Sequence, residues 1–211
     1  ARAMELPFQA LMQGTNRADI VESETGLKAH HNVGALPLRL IEEFGLDVIE
    51  PLAGLFKYQV REVAHALGLP EEVARRQPFP GPGLSLRLWG KINRTIFPPL
   101  AKANRILHEV VVKHYPKFNQ RPHQYYVAFM PLSSVGLMGD GRVSGYGWWV
   151  RLVSACNRDN YSSMGIFIGS REFYAELTRR LTTETRMPDG TPFVRVAQEM
   201  TPKPPSTTEL H

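Results

Sequence analysis

The stretch Gln77-Pro78-Phe79-Pro80-Gly81-Pro82-Gly83-Leu84-Ser85-Leu86-Arg87 separates two differently patterned parts of the chain. Its prolines fix φ and remove backbone donors, and its glycines allow close approaches that a side chain would forbid. The stretch is therefore neither a helix nor an interior strand, and we predict a rigid loop. Such a loop can form the wall of a pocket for a planar ligand or a phosphate, or it can be a stiff linker between two domains. The local chemistry leaves both interpretations open.

The composition is that of an ordinary soluble globular protein. The 211 residues are 43% hydrophobic and 21% charged, and no apolar run approaches the roughly 18 residues that span a bilayer. The N-terminus lacks the order of basic, apolar and small residues that a signal peptide has. The single cysteine, Cys156, excludes an internal disulfide framework and is typical of a reducing compartment. We predict a cytosolic protein.

The net charge of +5 and the pI near 9.5 raise the possibility of an anionic partner. The lysines and arginines are spread along the chain, and no basic run is interleaved with aromatic residues as in a platform for single strands. A diffuse positive charge suits an anionic small ligand at least as well. A basic RNA-binding module remains the minor alternative.

The two sides of the proline-glycine stretch predict different folds. Before it, a strand at 46–52 and helices at 36–45, 57–68 and 71–76 indicate an α/β segment. After it, the pattern predicts a small α+β domain. Its elements are a helix at 99–115, strands at 124–132 and 148–156 with a glycine-rich turn at 135–142 between them, a helix at 170–186 and a strand at 193–196.

Residues 13–35 have no apolar periodicity but are dense in groups that bind ligands or transfer protons. A polar segment of this length predicts either a functional lid or a solvated loop. A metal site is disfavoured because His30 and His31 are adjacent and their side chains diverge. With Lys28 beside them, the two histidines are better suited to meeting a phosphate. The tail from Lys203 to His211 combines two prolines with many donors and acceptors, so it is either an ordered binding segment or a frayed end.

Several blocks of sequence resemble glutamine-dependent GMP synthetase, and they occur in family order from Gln13 to Glu209. The blocks are Gln13-Gly14-Thr15, Asp19-Ile20-Val21-Glu22-Ser23, Lys28-Ala29-His30-His31-Asn32-Val33-Gly34, Glu50-Pro51-Leu52, Pro78-Phe79-Pro80-Gly81-Pro82-Gly83-Leu84, Ser134 to Arg142 and Lys203-Pro204-Pro205-Ser206-Thr207-Thr208-Glu209. The resemblance implies the end of an adenine nucleotide alpha-hydrolase-like ATP-pyrophosphatase domain at 1–87. It implies an α+β dimerisation domain with an XMP-binding tail at 88–211, and therefore a homodimer.

The family makes GMP from XMP, ATP and ammonia released from glutamine. XMP is adenylated at a carbonyl oxygen, with ATP and Mg²⁺ required, and ammonia then displaces AMP. The resemblance assigns a closing lid to Asp19, Glu22, Lys28, His30 and His31. It assigns XMP contacts to Gly81, Pro82, Gly83, Arg142, Lys203, Thr207, Thr208 and Glu209, with the cations favouring the phosphate and Glu209 the purine N–H groups.

Two departures from the family pattern bear on activity. No Ser-Gly-Gly-x-Asp-Ser phosphate loop and no glutamine amidotransferase domain occur in the 211 residues. We therefore expect a C-terminal portion that cannot adenylate XMP by itself. The alternative is a non-catalytic dimerisation and nucleotide-binding module. Two smaller departures are Asn16-Arg17-Ala18, where the family has an aromatic residue and a proline, and a small insertion at 143–147.

Overall fold

The computed structural model describes residues 10–24, 45–77, 87–89, 93–155, 164–202 and 205–206. The chain divides into two compact units, residues 1–76 and residues 77–211. The proline-glycine stretch is thus counted with the second compact unit, and the assignment of domains to 1–87 and 88–211 stays a prediction. Most of that stretch and most of the helix predicted at 36–45 lie outside the described residues.

The first unit combines a parallel strand pair with short helices, as an α/β segment requires. Strand β1 (Ala10–Met12) pairs in parallel with β2 (Asp47–Ile49). Among the described residues of this unit, the helices are α1 (Arg17–Glu24), α2 (Lys57–Ala66) and α3 (Glu71–Ala74). The predicted strand near 46–52 and the predicted helices at 57–68 and 71–76 are confirmed. Gly68 follows α2 with a φ of +77°, a conformation that favours glycine and ends the helix.

The second unit is built around one long strand. Its main elements are α4 (Phe97–His114), β3 (Gln124–Met138), β4 (Gly141–Ala155), β5 (Met164–Ile166), α5 (Arg171–Glu184) and β6 (Phe193–Gln198). Two 3₁₀ turns, Arg94–Ile96 and Phe118–Gln120, flank α4. Strand β4 pairs antiparallel with β3 and β5 and parallel with β6. The α+β architecture predicted for this part is therefore confirmed in outline.

Helices α4 and α5 supply the apolar side chains that bury one face of the sheet. Leu100 and Leu107 on α4 and Leu177 on α5 share a core with Trp148 and Leu152 on β4. Their helical spacing is the reason that both helices could be predicted. Burying a side chain of this size stabilises the fold by roughly 1.5–3 kcal/mol, so this core orders the sheet that carries the site. None of the described helices is both long enough and apolar enough to cross a bilayer.

The glycine-rich turn predicted at 135–142 is wrong in its extent, because both strands continue through that region. β3 and β4 pair up to Met138 and Gly141, and only Gly139 and Asp140 form the turn. Gly139 has a φ of +61°, which the tight connection requires. The pairing also shifts register between Met130 and Ser134, opposite the segment 143–147 in which the sequence indicated an insertion.

Candidate functional site

Two polar side chains lie buried on the face of the sheet that points away from the helices. Tyr126 on β3 is directly opposite Arg151 on β4. Their strand neighbours Tyr125, Val150 and Leu152 belong to the helix-covered core. Since alternate residues of a strand point to opposite faces, Tyr126 and Arg151 occupy the other face. Both are nevertheless almost completely withdrawn from solvent, so other parts of the chain must cover them.

The segment that follows β6 covers Arg151 and neutralises its charge. Nη1 of Arg151 lies 2.6 Å from Oε2 of Glu199, and Nη2 donates a hydrogen bond of 2.7 Å to Oγ of Ser206. Glu199 is itself held to the sheet, because its backbone N–H donates to the carbonyl of Val150. A buried charge is tolerated only when it is paired and hydrogen-bonded. The guanidinium therefore ties the chain between Glu199 and Ser206 to β4.

Tyr126 lies beside two guanidinium groups. Burial raises the pKa of Tyr126 to about 12, although Arg151 and Arg87 act in the opposite direction, so the phenol is neutral at physiological pH. The carbon at the centre of the Arg87 guanidinium is 5.6 Å from the centroid of the Tyr126 ring. Burial lowers the pKa of Arg87, and its Nη1 donates to Oδ1 of Asn104 on α4. Tyr126 is thus the neutral group between two positive charges.

Two indole rings lie next to this pair of arginines. Trp89 and Trp149 contact each other with ring centroids 5.1 Å apart, and the Trp149 indole N–H donates to Glu199 at 3.4 Å. Within the part of the chain that the structure describes, the Trp89 indole N–H and Nε of Arg151 have no hydrogen-bond partner. The face therefore combines the guanidinium of Arg87, flat aromatic surface and buried donors, which is chemistry that suits an aromatic anion.

The sequence missed this cluster. Its key residues are Tyr126, Arg151, Glu199 and Ser206. None of them was assigned an individual site role, although Ser206 lies in the motif Lys203 to Glu209 of the predicted binding tail. One signal was available. Arg151 is the only charged residue in the mostly apolar run from Trp148 to Ala155, and a charge inside a buried strand needs a partner. The identity of that partner could not be read from the sequence because Glu199 and Ser206 are far away along the chain.

Asp19 and Glu22, predicted for the lid, lie on α1. The carboxylate of Asp19 accepts from the backbone N–H of Asn16, and Oδ1 of Asn16 accepts from the N–H groups of Ala18 and Asp19. This reciprocal arrangement is a capping box, so Asp19 stabilises the start of the helix. The side chain of Glu22 lies outside the described residues. Of the two interpretations of 13–35, a functional lid or a solvated loop, the loop is thus wrong for 17–24, which form a helix.

Arg142 is exposed at the closed end of the β3–β4 hairpin, opposite Leu137. Arg151 is nine positions further along the same continuous strand, a distance of about 30 Å at the usual rise per residue. The structure therefore does not bring Arg142 together with the covered arginine. The other predicted site residues lie outside the described residues: Lys28, His30, His31, Gly81, Pro82, Gly83, Lys203, Thr207, Thr208 and Glu209.

The described residues do not fit the Mg²⁺ ion that the resemblance implies. Among them, no group of three or more His, Cys, Asp or Glu side chains is placed to hold a metal. Asp19, the one predicted lid carboxylate whose contacts are described, is engaged in the helix cap.

Comparison with known proteins gives the family context. Residues 112–210 match the family described as GMP synthase C terminal domain. The chain is 41% identical over 199 residues to a subunit of the glutamine-hydrolyzing GMP synthase of Methanoculleus marisnigri, covering 94% of this chain and 60% of that protein. The similarity to GMP synthase extends along nearly the whole chain. The proteins of the same name from Methanopyrus kandleri and Methanoregula boonei are each 39% identical, over 99% and 94% of this chain and 63% and 60% of their own lengths.

The resemblance to the C-terminal part of GMP synthase is therefore confirmed. The chain spans about 60% of the length of these GMP synthase relatives. The match at 112–210 covers most of the second unit, including β3 to β6 and the segment that covers Arg151. The assignment of residues 1–87 to an ATP-pyrophosphatase domain stays a prediction.

Proposed function

We propose that the chain provides the C-terminal, XMP-binding part of an enzyme that makes GMP from XMP, ATP and glutamine-derived ammonia. The observation that carries the proposal is the 41% identity, over 94% of the chain, to a protein named as a subunit of glutamine-hydrolyzing GMP synthase. The proposed reaction has two steps. A carbonyl oxygen of XMP attacks the α-phosphorus of ATP and releases pyrophosphate, and ammonia then displaces AMP from the adenylated carbon.

The role of the second unit in this reaction is to hold XMP. XMP carries a phosphate and a flat purine, and this unit holds the guanidinium of Arg87 and two indole rings in contact with each other. We assign the XMP contacts to Gly81, Pro82, Gly83, Arg142, Lys203, Thr207, Thr208 and Glu209. The lid residues Asp19, Glu22, Lys28, His30 and His31 would close over the adenylation site.

Two partners belong to the proposal. Ammonia would come from a glutamine amidotransferase, present as a separate subunit or domain. A second copy of the chain would pack against the hairpin, where Leu132, Val135 and Leu137 are more than half exposed. Exposed apolar side chains of this kind are typical of surfaces that another protein covers.

Calorimetric titration of XMP into the chain tests the proposal. We expect XMP to bind, and Lys203→Ala and Arg142→Ala each to weaken binding. Losing one hydrogen bond to a charged group costs about 1.5–3 kcal/mol, roughly 10- to 100-fold in Kd. Lys117→Ala is the matched control because this exposed lysine belongs to the same unit and has no assigned role. If the folded chain does not bind XMP, or if Lys117→Ala weakens binding as much as Lys203→Ala, the proposal is wrong.

A further inference from the structure

We propose that the second unit contains a binding site for a small aromatic carboxylate, in a cavity at the closed end of the β3–β4 hairpin. The cavity has a volume of about 440 Å³, within the roughly 300–1,000 Å³ of pockets that hold small molecules. It lies between the end of β3, the end of α5 and the start of β6. The side chains that line it include Met138, Thr182, Thr183, Arg186, Phe193 and Val194. We refer to it as the hairpin cavity.

The walls of the hairpin cavity are fixed by contacts within the second unit. A Cβ atom on Gly136 would lie only 2.6 Å from the Cβ atom of Val194, so the hairpin and β6 are in close contact on one side. On the other side, Arg186 and Pro192 form an isolated antiparallel bridge that closes the turn between α5 and β6. Phe193 is fully buried. The cavity therefore exists before a ligand arrives, and little conformational freedom is lost on binding.

The apolar part of the lining suits a flat hydrocarbon body. Met138 on β3 and Phe193 and Val194 on β6 supply it. The thioether of a methionine adapts to irregular shapes and makes favourable contacts with aromatic rings. An aromatic ligand would also cover part of Leu137, which lines the same cavity and is 74% exposed. Withdrawing this apolar surface from water is the driving force for binding.

A single positive charge determines the polar end of the ligand. Among the described residues that line the hairpin cavity, Arg186 is the one cation and no carboxylate is present. The guanidinium is charged at every physiological pH, and its planar fork of N–H donors matches a carboxylate in a bidentate geometry. Because one cation balances one negative charge, a carboxylate fits better than a dianionic phosphate monoester.

The acidic residues nearest to Arg186 in the sequence have contacts of their own. Oε1 of Glu184 lies 2.8 Å from Nε of Arg180. Oδ1 of Asp189 accepts a backbone hydrogen bond within its own turn. Asp140, at the tip of the hairpin, is exposed and is not one of the described residues that line the cavity. The charge of Arg186 is therefore available to a ligand.

The two threonine hydroxyls of the lining restrict the carboxylate to the end of the cavity at Arg186. Oγ1 of Thr182 donates to the carbonyl of Thr178 at 2.9 Å, and Oγ1 of Thr183 donates to the carbonyl of Arg179 at 2.8 Å. Because a hydroxyl has one proton to donate, these oxygens can only accept from a ligand. A carboxylate accepts but does not donate, so Arg186 is the side chain that binds it.

The hairpin cavity is distinct from the cluster around Tyr126 and Arg151. Met138 lies twelve positions beyond Tyr126 on β3, a distance of up to about 40 Å at the usual rise per residue. Arg142, to which an XMP contact was assigned, is opposite Leu137 but is not one of the described residues that line the cavity. The inference therefore goes beyond the proposed function and does not depend on it.

Titration of naphthylacetate into the chain tests the proposal, with the neutral naphthylacetamide as the matched ligand. The two ligands share their ring system and differ in the charge of one group. Calorimetry measures both affinities, and NMR of the methionine methyl groups locates the ligand. We expect naphthylacetate to bind about five- to tenfold more tightly than the amide, the effect of one partly exposed hydrogen bond to a charged group. The methyl signal of Met138 should shift, and that of Met12 in the first unit should not.

Arg186→Gln should remove the preference for the charged ligand. The side chain of Arg186 is exposed, so the variant should fold as the parent does. We expect naphthylacetate to bind about five- to tenfold more weakly to this variant, and the affinity for naphthylacetamide to stay the same. Arg171→Gln is the matched control, because this exposed arginine begins α5 at the end of the helix away from the cavity.

Thr183→Phe provides a second variant that fills the hairpin cavity. Thr183 is exposed on the last turn of α5, so a larger side chain can be accommodated by the fold. We expect this variant to lose binding of both ligands. Thr183→Val removes the same hydroxyl without filling the cavity, and it should leave both affinities nearly unchanged.

The outcomes separate this inference from the proposed function. Absence of naphthylacetate binding, equal affinities for the two ligands, or an unchanged Met138 signal overturns the inference and leaves the proposed function standing. So does weakening by Arg171→Gln as large as that by Arg186→Gln, or binding to Thr183→Phe as tight as to the parent. Displacement of naphthylacetate by XMP would place the cavity in the nucleotide site and would also overturn the inference. A preference for the acid that Arg186→Gln removes, that Thr183→Phe abolishes and that XMP leaves unchanged supports it.

Discussion

The ring of Trp148 on β4 stacks on the ring of Phe193 at the start of β6, with centroids 4.0 Å apart and planes inclined by 17°. Both side chains are fully buried. The contact fixes β6 beside β4 in the parallel pairing that begins at Tyr146 and Phe193. Because Glu199 lies directly after β6, this stack also determines where the partner of Arg151 is placed.

A glycine next to this contact allows the close approach of the two strands. A Cβ atom on Gly145 would collide with the carbonyl oxygen of Pro192, and that oxygen already accepts from the N–H of Tyr146 at 3.0 Å. We expect Gly145→Ala to lower the free energy of unfolding by about 1–3 kcal/mol, the usual cost of overpacking. The measurement is urea denaturation.

The control for that variant is Gly141→Ala in the same strand. A Cβ atom there would meet only the carbonyl oxygen of Met138, at an ordinary distance of 3.7 Å. Gly141→Ala should therefore change the free energy of unfolding much less. Equal losses in the two variants would show that the approach of Pro192 is not the cause.

The buried ion pair of Arg151 and Glu199 leads to a second prediction about stability. Removing one member of a buried ion pair leaves an uncompensated charge and typically costs about 3–5 kcal/mol. We expect Arg151→Met and Glu199→Leu each to destabilise the chain by that amount. The double variant should recover most of the loss, because no charge remains buried. Losses that simply add in the double variant, measured by urea denaturation, would argue against a coupled pair.

Glu176 should make stability depend on acid pH. Hydrogen bonds from Lys113 and His114 hold the pKa of Glu176 at about 2, below its ordinary value of 4.5. A carboxyl whose pKa is lower in the folded state contributes stability that is fully present above pH 4.5 and lost as the pH falls towards 2. We expect Glu176→Gln to be less stable than the parent at about pH 6 and nearly equal to it at about pH 2.

The control for Glu176 is Glu172→Gln, an exposed carboxylate on the same helix. Both variants remove one negative charge, so the effect of net charge is matched. Urea denaturation at about pH 6, 4 and 3 measures the difference from the parent. A difference that grew on acidification, or that was the same for both variants, would contradict the assignment.

Ser170 is the N-cap of α5, and its contribution to stability can be tested by substitution. Its hydroxyl oxygen accepts from the backbone N–H of Phe173 at 3.1 Å, an N-cap contact. Ser170→Ala should reduce the free energy of unfolding by about 1 kcal/mol. Ser170→Asp should restore it, since a carboxylate caps equally well and also complements the helix dipole. Failure of the aspartate to restore stability would mean that capping is not what Ser170 contributes.

Helices α4 and α5 were predictable because their apolar residues follow helical spacing. The burial of those residues in the hydrophobic core is the main contribution to the stability of the fold. α1 was missed because its residues have no apolar stripe. Its signature was local instead, since Asn16 and Asp19 stand three apart as in a capping box. That motif could have been recognised in the sequence.

The pairing of β6 with β4 and the cover over Arg151 could not be predicted. The sequence shows that Phe193 to Val196 favours a strand, but it does not show which strand lies beside it. That choice depends on tertiary packing such as the stack of Trp148 on Phe193. The partners of Arg151 follow from the same choice, because Glu199 and Ser206 reach it only after β6 has been placed.

Strand β4 pairs with β3, β5 and β6 along its length, so an error in its register would disturb all three pairings. A slip of β4 by one residue would exchange the two faces of the strand. Arg151 would then enter the apolar layer beneath α4 and α5, while Val150 and Leu152 would leave it. The misregistered strand would place an unneutralised cation among hydrocarbon side chains. This would destabilise the fold far more than a loss of packing alone. Arg151, which donates a hydrogen bond to Ser206, therefore also makes the shifted register of β4 strongly unfavourable.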